Sequence, residues 1–374
     1  MYIKWLSVTS VLILSLVVLC LACTSKKEQQ TPAEKVADDP GKPPLLMFTS
    51  GIRSILEDSR GNIWFGSVHE GAALYDGDSI IYFSKKNTDE SGTASIFNNQ
   101  NSLSDNQVRS IYEDQKGDIW IEGGMGISHY DGKRMSTRTD RYYGAKEDWQ
   151  AGEHDIWFKA NERNGYDEQE GHPGVYRYDG DRLTYHIFPV ELKAGEQNYY
   201  SVTTPFIKGK DSILWFGTYG AVIGYDGSDF TIIDNESLGL TKETGWLHIR
   251  IILEDSKGHL WIGNNGMGVL RYDGENTIDF TAQHNLAKDD TEGNHLEKVF
   301  SIGEDSKGNI WFGTSGSGVW RYDGDSLTNY TREHGLDSNH IWTIYTSKDG
   351  ELWFGGAEPS GVYVFDGSSF ERRF

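Results

Sequence analysis

Residues 108–132, VRSIYEDQKGDIWIEGGMGISHYDG, fall into short runs in which apolar and polar positions alternate, separated by turn residues. VRSIYED has the period of two expected of a strand with one buried face; QKG turns the chain and DIWIEG resumes as a second strand. GISHYDG is a third strand ending on an Asp-Gly step, a hairpin signal whose central positions tolerate positive φ, and KRMSTRT follows as a fourth. The predicted unit is four antiparallel strands, a to d, joined by tight turns.

This unit recurs. DSRGNIWFG (58–66), DSKGHLWIG (255–263) and DSKGNIWFG (305–313) are near copies, and alignment on the tryptophan gives Trp64, Trp120, Trp157, Trp215, Trp261, Trp311 and Trp353. Each is followed by YDG or FDG, with aspartates at 76, 131, 179, 226, 273, 323 and 366, a spacing that fits propeller blades of about 40–50 residues. A four-stranded sheet cannot bury both faces alone, so such units fan around an axis, each covering the next. The predicted fold is all-β, a seven-bladed β-propeller of four-stranded antiparallel blades over residues 45–374. The seven tryptophans read as wedges between blades, each burying on the order of 150–250 Å². Around Trp157 the turn reads AGEHDIW, with His154 where glycine belongs, which marks blade 3 as the divergent copy.

The pattern V-x-S-I-x-E-D-S-x-G-N-I-W-F-G, then G-V-x-R-Y-D-G, Y-T and H-G-L, read at 299–336, resembles the two-component regulator propeller repeats. Those repeats occur in sensor regions of bacterial histidine kinases outside the cytoplasm, and the resemblance spans roughly 46–374. It implies a ligand-binding sensor propeller. No immunoglobulin-like module or kinase is read before Phe374, so the expected route of signalling is through a partner protein, an envelope sensor or transport component. The resemblance carries no invariant catalytic set to transfer. The Asp-box of sialidase propellers is similar, but its aspartate stands two residues before the glycine, whereas Asp305 stands three before Gly308.

Residues 1–22 read as an export signal, with Lys4 as the charge and Trp5 to Leu19 mostly apolar. CLAC (20–23) resembles the lipobox of bacterial lipoproteins, which makes Cys23 the expected lipidation site; a plain secretory signal or an uncleaved anchor is the alternative. Residues 23–44, rich in Thr, Ser, Lys, Glu, Gln and Pro, read as a disordered tether. The expected location is the bacterial cell envelope, lipid-anchored, in the outer membrane, with the body in the periplasm or at the surface. With Cys23 lipidated and Cys20 removed, the body holds no disulfide. The formal charge of −21, from 56 acidic and 35 basic residues, argues against a nucleic-acid partner.

Strand alternation places the a-b and c-d turns on one face and the b-c and d-a connections on the other. The Trp-to-Asp distance is nearly constant except in blade 3, whereas the Asp-to-next-Trp distance runs from 26 to 44 residues. Length variation therefore falls on one face, where binding residues on a rigid scaffold usually sit. Candidate ligand-binding residues there are the aromatics Trp149, Tyr200, Trp246 and Trp342, with Tyr142, Tyr143 and Tyr199 nearby, as flat platforms for sugars or peptide side chains. Arg53, Arg109 and Arg250 recur at the second position of strand a, suited to a carboxylate, sulfate or phosphate, or to pairing with loop acids such as Asp105 or Glu243. His248 joins them, with His295 and His340 at similar places. No cofactor, metal or catalytic residue is assigned. The expected function is recognition of a glycan or peptide at the variable face, with a lyase or hydrolase using the same face, or an assembly scaffold, as alternatives.

Overall fold

The computed structural model describes residues 43–85, 102–138, 142–143, 149–159, 173–188, 197–286 and 295–374. The expected export signal, Cys23 and nearly all of the tether lie outside the described residues. So do most of the blade 3 insertion and of the acidic run 289–297, and the side chains of Tyr142 and Tyr143.

Seven four-stranded sheets form seven blades. Blade 1 runs Ile52–Glu57, Ile63–Ser67, Ala72–Tyr75 and Ile80–Phe83, each strand pairing antiparallel with the next. The inner strands of blades 2, 5, 6 and 7 are Val108–Glu113, Ile249–Glu254, Val299–Glu304 and His340–Thr346. Blades 3 and 4 depart from this plan. Blade 4 keeps only Ile207–Lys208 and an isolated bridge, Val202 to Thr218, in the inner position. Blade 3 has no inner strand among the described residues: its sheet is Ile156–Lys159, Gly174–Tyr178, Leu183–Ile187 and, on the outer edge, Tyr142–Tyr143 paired in parallel. His154 and its neighbours, which lack the turn glycine, stand where the a-b turn would be.

The wedge tryptophans explain how sheets become a ring. Trp64 of blade 1 packs with Val108, Ile111, Ile119 and Ile121 of blade 2, and Trp261, Trp311 and Trp353 likewise bury against the following blade. Six of the seven are buried; Trp215, beside the shortened inner strand of blade 4, is half-buried. The conserved spelling of the turn has a second role that the strand pattern does not reveal. In DSKGNIW, Asp305 Oδ1 accepts from the backbone N–H of Lys307 and Asn309, and its Oδ2 accepts from Asn309 Nδ2 at 2.8 Å and from Trp311 Nε1 at 2.9 Å. Asp58, Asp114 and Asp255 hold Trp64, Trp120 and Trp261 the same way. One carboxylate thus fixes both the turn and the indole that the next blade covers.

In the c-d turn, Asp323 caps the backbone N–H of Asp325 and Ser326, and Gly324 takes φ +101°, which a side chain would strain. Only the glycine adopts positive φ there, so the Asp-Gly step makes a turn with glycine at the first central position, not one with two left-handed residues.

The a-b turns 58–62, 114–118, 209–213, 255–259, 305–309 and 347–351 are all five residues long, and the c-d turns are all four. Length variation is confined to the b-c and d-a connections, such as 84–107, 160–173 and 188–206. One face is uniform and the other elaborated, as the spacing implies.

Candidate functional site

Five inner strands carry the same irregularity. The register against the second strand shifts between Ile52 and Ser54, Val108 and Ser110, Ile249 and Ile251, Val299 and Ser301, and Ile341 and Thr343. Each is a β-bulge, in which an extra residue is left unpaired and re-aimed. The extra residues are Arg53, Arg109, Arg250, Phe300 and Trp342. Blade 4 repeats the geometry at Thr203, where the N–H groups of Thr203 and Thr204 both donate to Gly217 O, at 2.9 and 3.3 Å. In blade 3, which has no inner strand among the described residues, Lys159 at the end of the second strand takes the place.

These seven residues, one per blade, line a single axial cavity of about 130 Å³ at the variable-face end of the inner strands. Arg53 lies 5.5 Å over the Trp342 ring, and Arg250 lies 5.4 Å over Phe300 and 5.9 Å over Tyr219. Arg109 Nε donates to Gln107 Oε1 at 3.3 Å, not to Asp105. Arg250 Nε is buried with no hydrogen-bond partner among the described residues. Lys159, 7% exposed, has its Nζ 3.9 Å from Glu122 Oε2, and its backbone N–H also donates to Glu122. Four cations therefore face one carboxylate, in a chain whose net charge is −21.

The electrostatics follow from that crowding. Arg53 keeps some surface open to the cavity but is hemmed in by protein; burial, then repulsion from Arg109 and Arg250, lowers its pKa to about 10. Burial also pulls Lys159 down to about 8, Glu122 opposing and Arg53 and Arg109 reinforcing the shift. The cavity is an unneutralised positive well.

Of the residues expected at the site, Arg53, Arg109, Arg250 and Trp342 come together on the cavity wall. His248 stands behind Arg250, its ring 4.9 Å from Tyr219, and burial followed by the Arg250 charge lowers its pKa. Trp246 is 65% exposed in the loop before blade 5, away from the cavity lining. Tyr200 is half-buried against the blade 3–4 core. Trp149 is corrected: at 7% exposure it belongs to that core, stacked on Trp157 with centroids 5.5 Å apart, its Nε1 donating to Ile187 O at 2.7 Å. An indole that has buried both faces and satisfied its N–H offers no platform to a ligand. His295 and His340 do not converge; His340 Nε2 meets Ser315 Oγ at 2.6 Å. Among the described residues, the groups spaced for a metal are Asp114 and Asp118, in the uniform-face turn of blade 2, and His129, on its third strand. There Asp114 already accepts from Trp120 and Asp118 from His129.

Lys159, Thr203 and Phe300 escape sequence reasoning. The last two are visible as the middle residue of VTT and VFS, which align with IRS, VRS and IWT; Lys159 has no such signal.

A second cavity, about 570 Å³, opens on the uniform face beside blade 3, between Ile111, Tyr112, Ile156, Trp157 and Phe206.

Comparison with known proteins agrees with this geometry. The two component regulator propeller family matches residues 47–69, 102–121, 246–266, 296–316 and 335–358, that is, blades 1, 2, 5, 6 and 7. No curated protein sequence matches the chain. Among solved structures, it is similar to the extracellular domain of a putative one component system from B. thetaiotaomicron, with 19% identity and a TM-score of 0.55 over 88% of this chain and 39% of that one. It is also similar to a catalytically inactive virginiamycin B lyase from Staphylococcus aureus with quinupristin, with 15% identity and a TM-score of 0.55 over 85% of this chain and 96% of that one. The chain thus spans about two-fifths of the length of the sensor domain it resembles, and at these identities the likeness is one of fold. With its bulged inner strands and wedge tryptophans, the chain is a seven-bladed propeller, five of whose blades match the two component regulator propeller family.

Proposed function

We propose that the protein is an extracytoplasmic, membrane-anchored ligand-binding propeller of sensor type, which takes a glycan or peptide at its variable face and acts through a partner protein. The observation that carries the reading is the convergence of one residue from every blade, five of them from inner-strand bulges, on a single cavity at the face where connection lengths vary. Uniform turns hold that ring rigid, and varied connections around it suit a common scaffold adapted to a particular ligand. The extracellular setting of the sensor domains it resembles supports an extracytoplasmic location, and Cys23 is the proposed lipid attachment.

The test is a thermal-shift screen of the protein against glycans and peptides, with hits measured by calorimetry. A bound ligand is expected to lose at least tenfold in affinity in Trp342→Ala, which removes an indole from the cavity wall. Binding that ignores Trp342 but is lost with substitutions in the uniform-face turns would overturn the placement. Absence of binding by either class would overturn the function.

A further inference from the structure

We propose that the axial cavity is an oxyanion site: a compact group of two negative charges, phosphate or sulfate, free or borne on a saccharide, seats among Arg53, Arg109, Arg250 and Lys159. This deepens the ligand-binding reading and rests on it, since it names the chemistry of the same cavity.

Three features point to an anion. The first is uncompensated charge. Among the described residues no carboxylate lies within 4 Å of Arg53, Arg109 or Arg250 in an ion pair, and Lys159 alone has one, Glu122. Charges of one sign crowded into a small cavity away from bulk water repel each other strongly and attract a counter-charge for the same reason. A dianion would lower the net charge of four cations and one carboxylate from +3 to +1.

The second is donor geometry. Bulges turn the guanidinium-bearing residues inward from blades 1, 2 and 5, and Lys159 arrives from blade 3, so donors approach from several directions around the axis. Arg250 Nε is buried and unpartnered, a donor without an acceptor. Guanidinium groups bind oxyanions through paired N–H donors, and such charge-assisted bonds are roughly twice as strong as neutral ones. Thr203 adds a hydroxyl on the blade 4 side.

The third is size. The axial cavity, about 130 Å³ against about 570 Å³ for the one on the uniform face, suits a compact tetrahedral group. A larger ligand would place its charged substituent in the ring. Its remainder would lie toward the variable-face mouth.

The experiment is calorimetric titration of the full chain, at fixed ionic strength set with sodium chloride, with four probes: inorganic phosphate, inorganic sulfate, and one disaccharide in sulfated and unsulfated forms. The expected result is saturable 1:1 binding of at least one anionic probe, with the sulfated disaccharide exceeding the unsulfated one by at least tenfold. Stronger binding of inorganic anion than of sulfated sugar identifies a free anion as the ligand; the reverse order identifies a sugar-borne one. Arg109→Gln is expected to weaken anion binding at least tenfold, the loss of one charge-assisted contact. Its melting temperature without anion should be unchanged or higher, because it removes repulsion and only the contact to Gln107. A merely structural Arg109 would lower it. Arg60→Gln, in the exposed a-b turn on the opposite face, should leave binding intact. Neutral glycan or peptide binding with no effect of any anion would sink the oxyanion site while leaving the sensor reading standing. Anion binding with no glycan or peptide ligand would do the reverse.

Discussion

The ring of blades closes without strand exchange, so the seam depends on side chains, and Phe374 is its keystone. All four strands of blade 7 come from residues 340–372, and none is donated from the segment before blade 1. Phe374 follows the last of them and is 1% exposed. Its ring centroid lies 4.9 Å from Phe65 and 5.4 Å from Tyr75 of blade 1, and 6.2 Å from Trp353 of blade 7. Leu46 and Phe48, from the segment before blade 1, complete the cluster with Ile52, Ile55 and Val362. Phe374→Ala removes a fully buried aromatic, and phenylalanine truncations of this kind destabilise by about 3–5 kcal/mol. An unfolding entropy of about 2.1 cal/mol/K per residue over a body of roughly 330 residues gives a slope near ~0.7 kcal/mol per degree, so the expected fall in Tm is about 4–7 °C. Denaturant unfolding and calorimetry measure it. Hydrogen exchange should quicken in Ile52–Glu57 and Gly361–Phe365, the strands flanking the seam, while blade 5 stays protected. A Tm change under about 1 °C, or an even rise in exchange around the ring, would refute the seam argument, because it would mean that other contacts close the propeller.

Three further outcomes are expected. Asp305→Ala should destabilise by about 3 kcal/mol, since it strands the Trp311 N–H and the turn donors; Asp305→Asn, which keeps one oxygen, should cost about half as much, read by urea titration. Although burial pushes the carboxyls of Asp58, Asp255 and Asp305 upward, their hydrogen bonds outweigh it and hold them below the usual value. Their stabilisation is therefore present above about pH 4 and lost as pH falls through the lowered values; a stability profile flat from pH 5 to 2 would contradict this. Lys159 has a folded pKa of about 8, below its usual 10.5, so between these values the unfolded chain holds a proton that the native one lacks, and stability should rise with pH across that window. The groups facing Lys159 are Glu122, Arg53 and Arg109, and Lys159→Met should flatten the alkaline rise. Finally, Gly268→Ala places a Cβ 2.2 Å from Thr281 Oγ1 and 2.6 Å from Leu296 O, whereas Gly274→Ala meets nothing within 4 Å at a similar positive φ. The first should be less stable than the second by about 1–3 kcal/mol, the overpacking contribution alone.

Blade number, strand order and the wedge tryptophans were legible in the sequence because each is local: a strand's period, a turn's residues and an indole's spacing repeat every blade, whatever the rest of the chain does. The uniform and elaborated faces were legible for the same reason, since connection length is counted along the chain. Arg53, Arg109, Arg250 and Trp342 stood out by residue type at a repeated position. Their meeting at one cavity was decided by tertiary structure, because a bulge re-aims a side chain only once the strand has a partner to slip against, and positions about fifty residues apart become neighbours only when the ring closes. Lys159 joins them from the second strand of blade 3, where no inner strand occurs among the described residues. Trp149 shows the converse: its sequence context suits a rim platform, yet the adjoining blades offer an apolar pocket and a carbonyl, and burial wins. Local repetition specified the parts, and closure of the circle determined which of them face the axis, the core or the solvent.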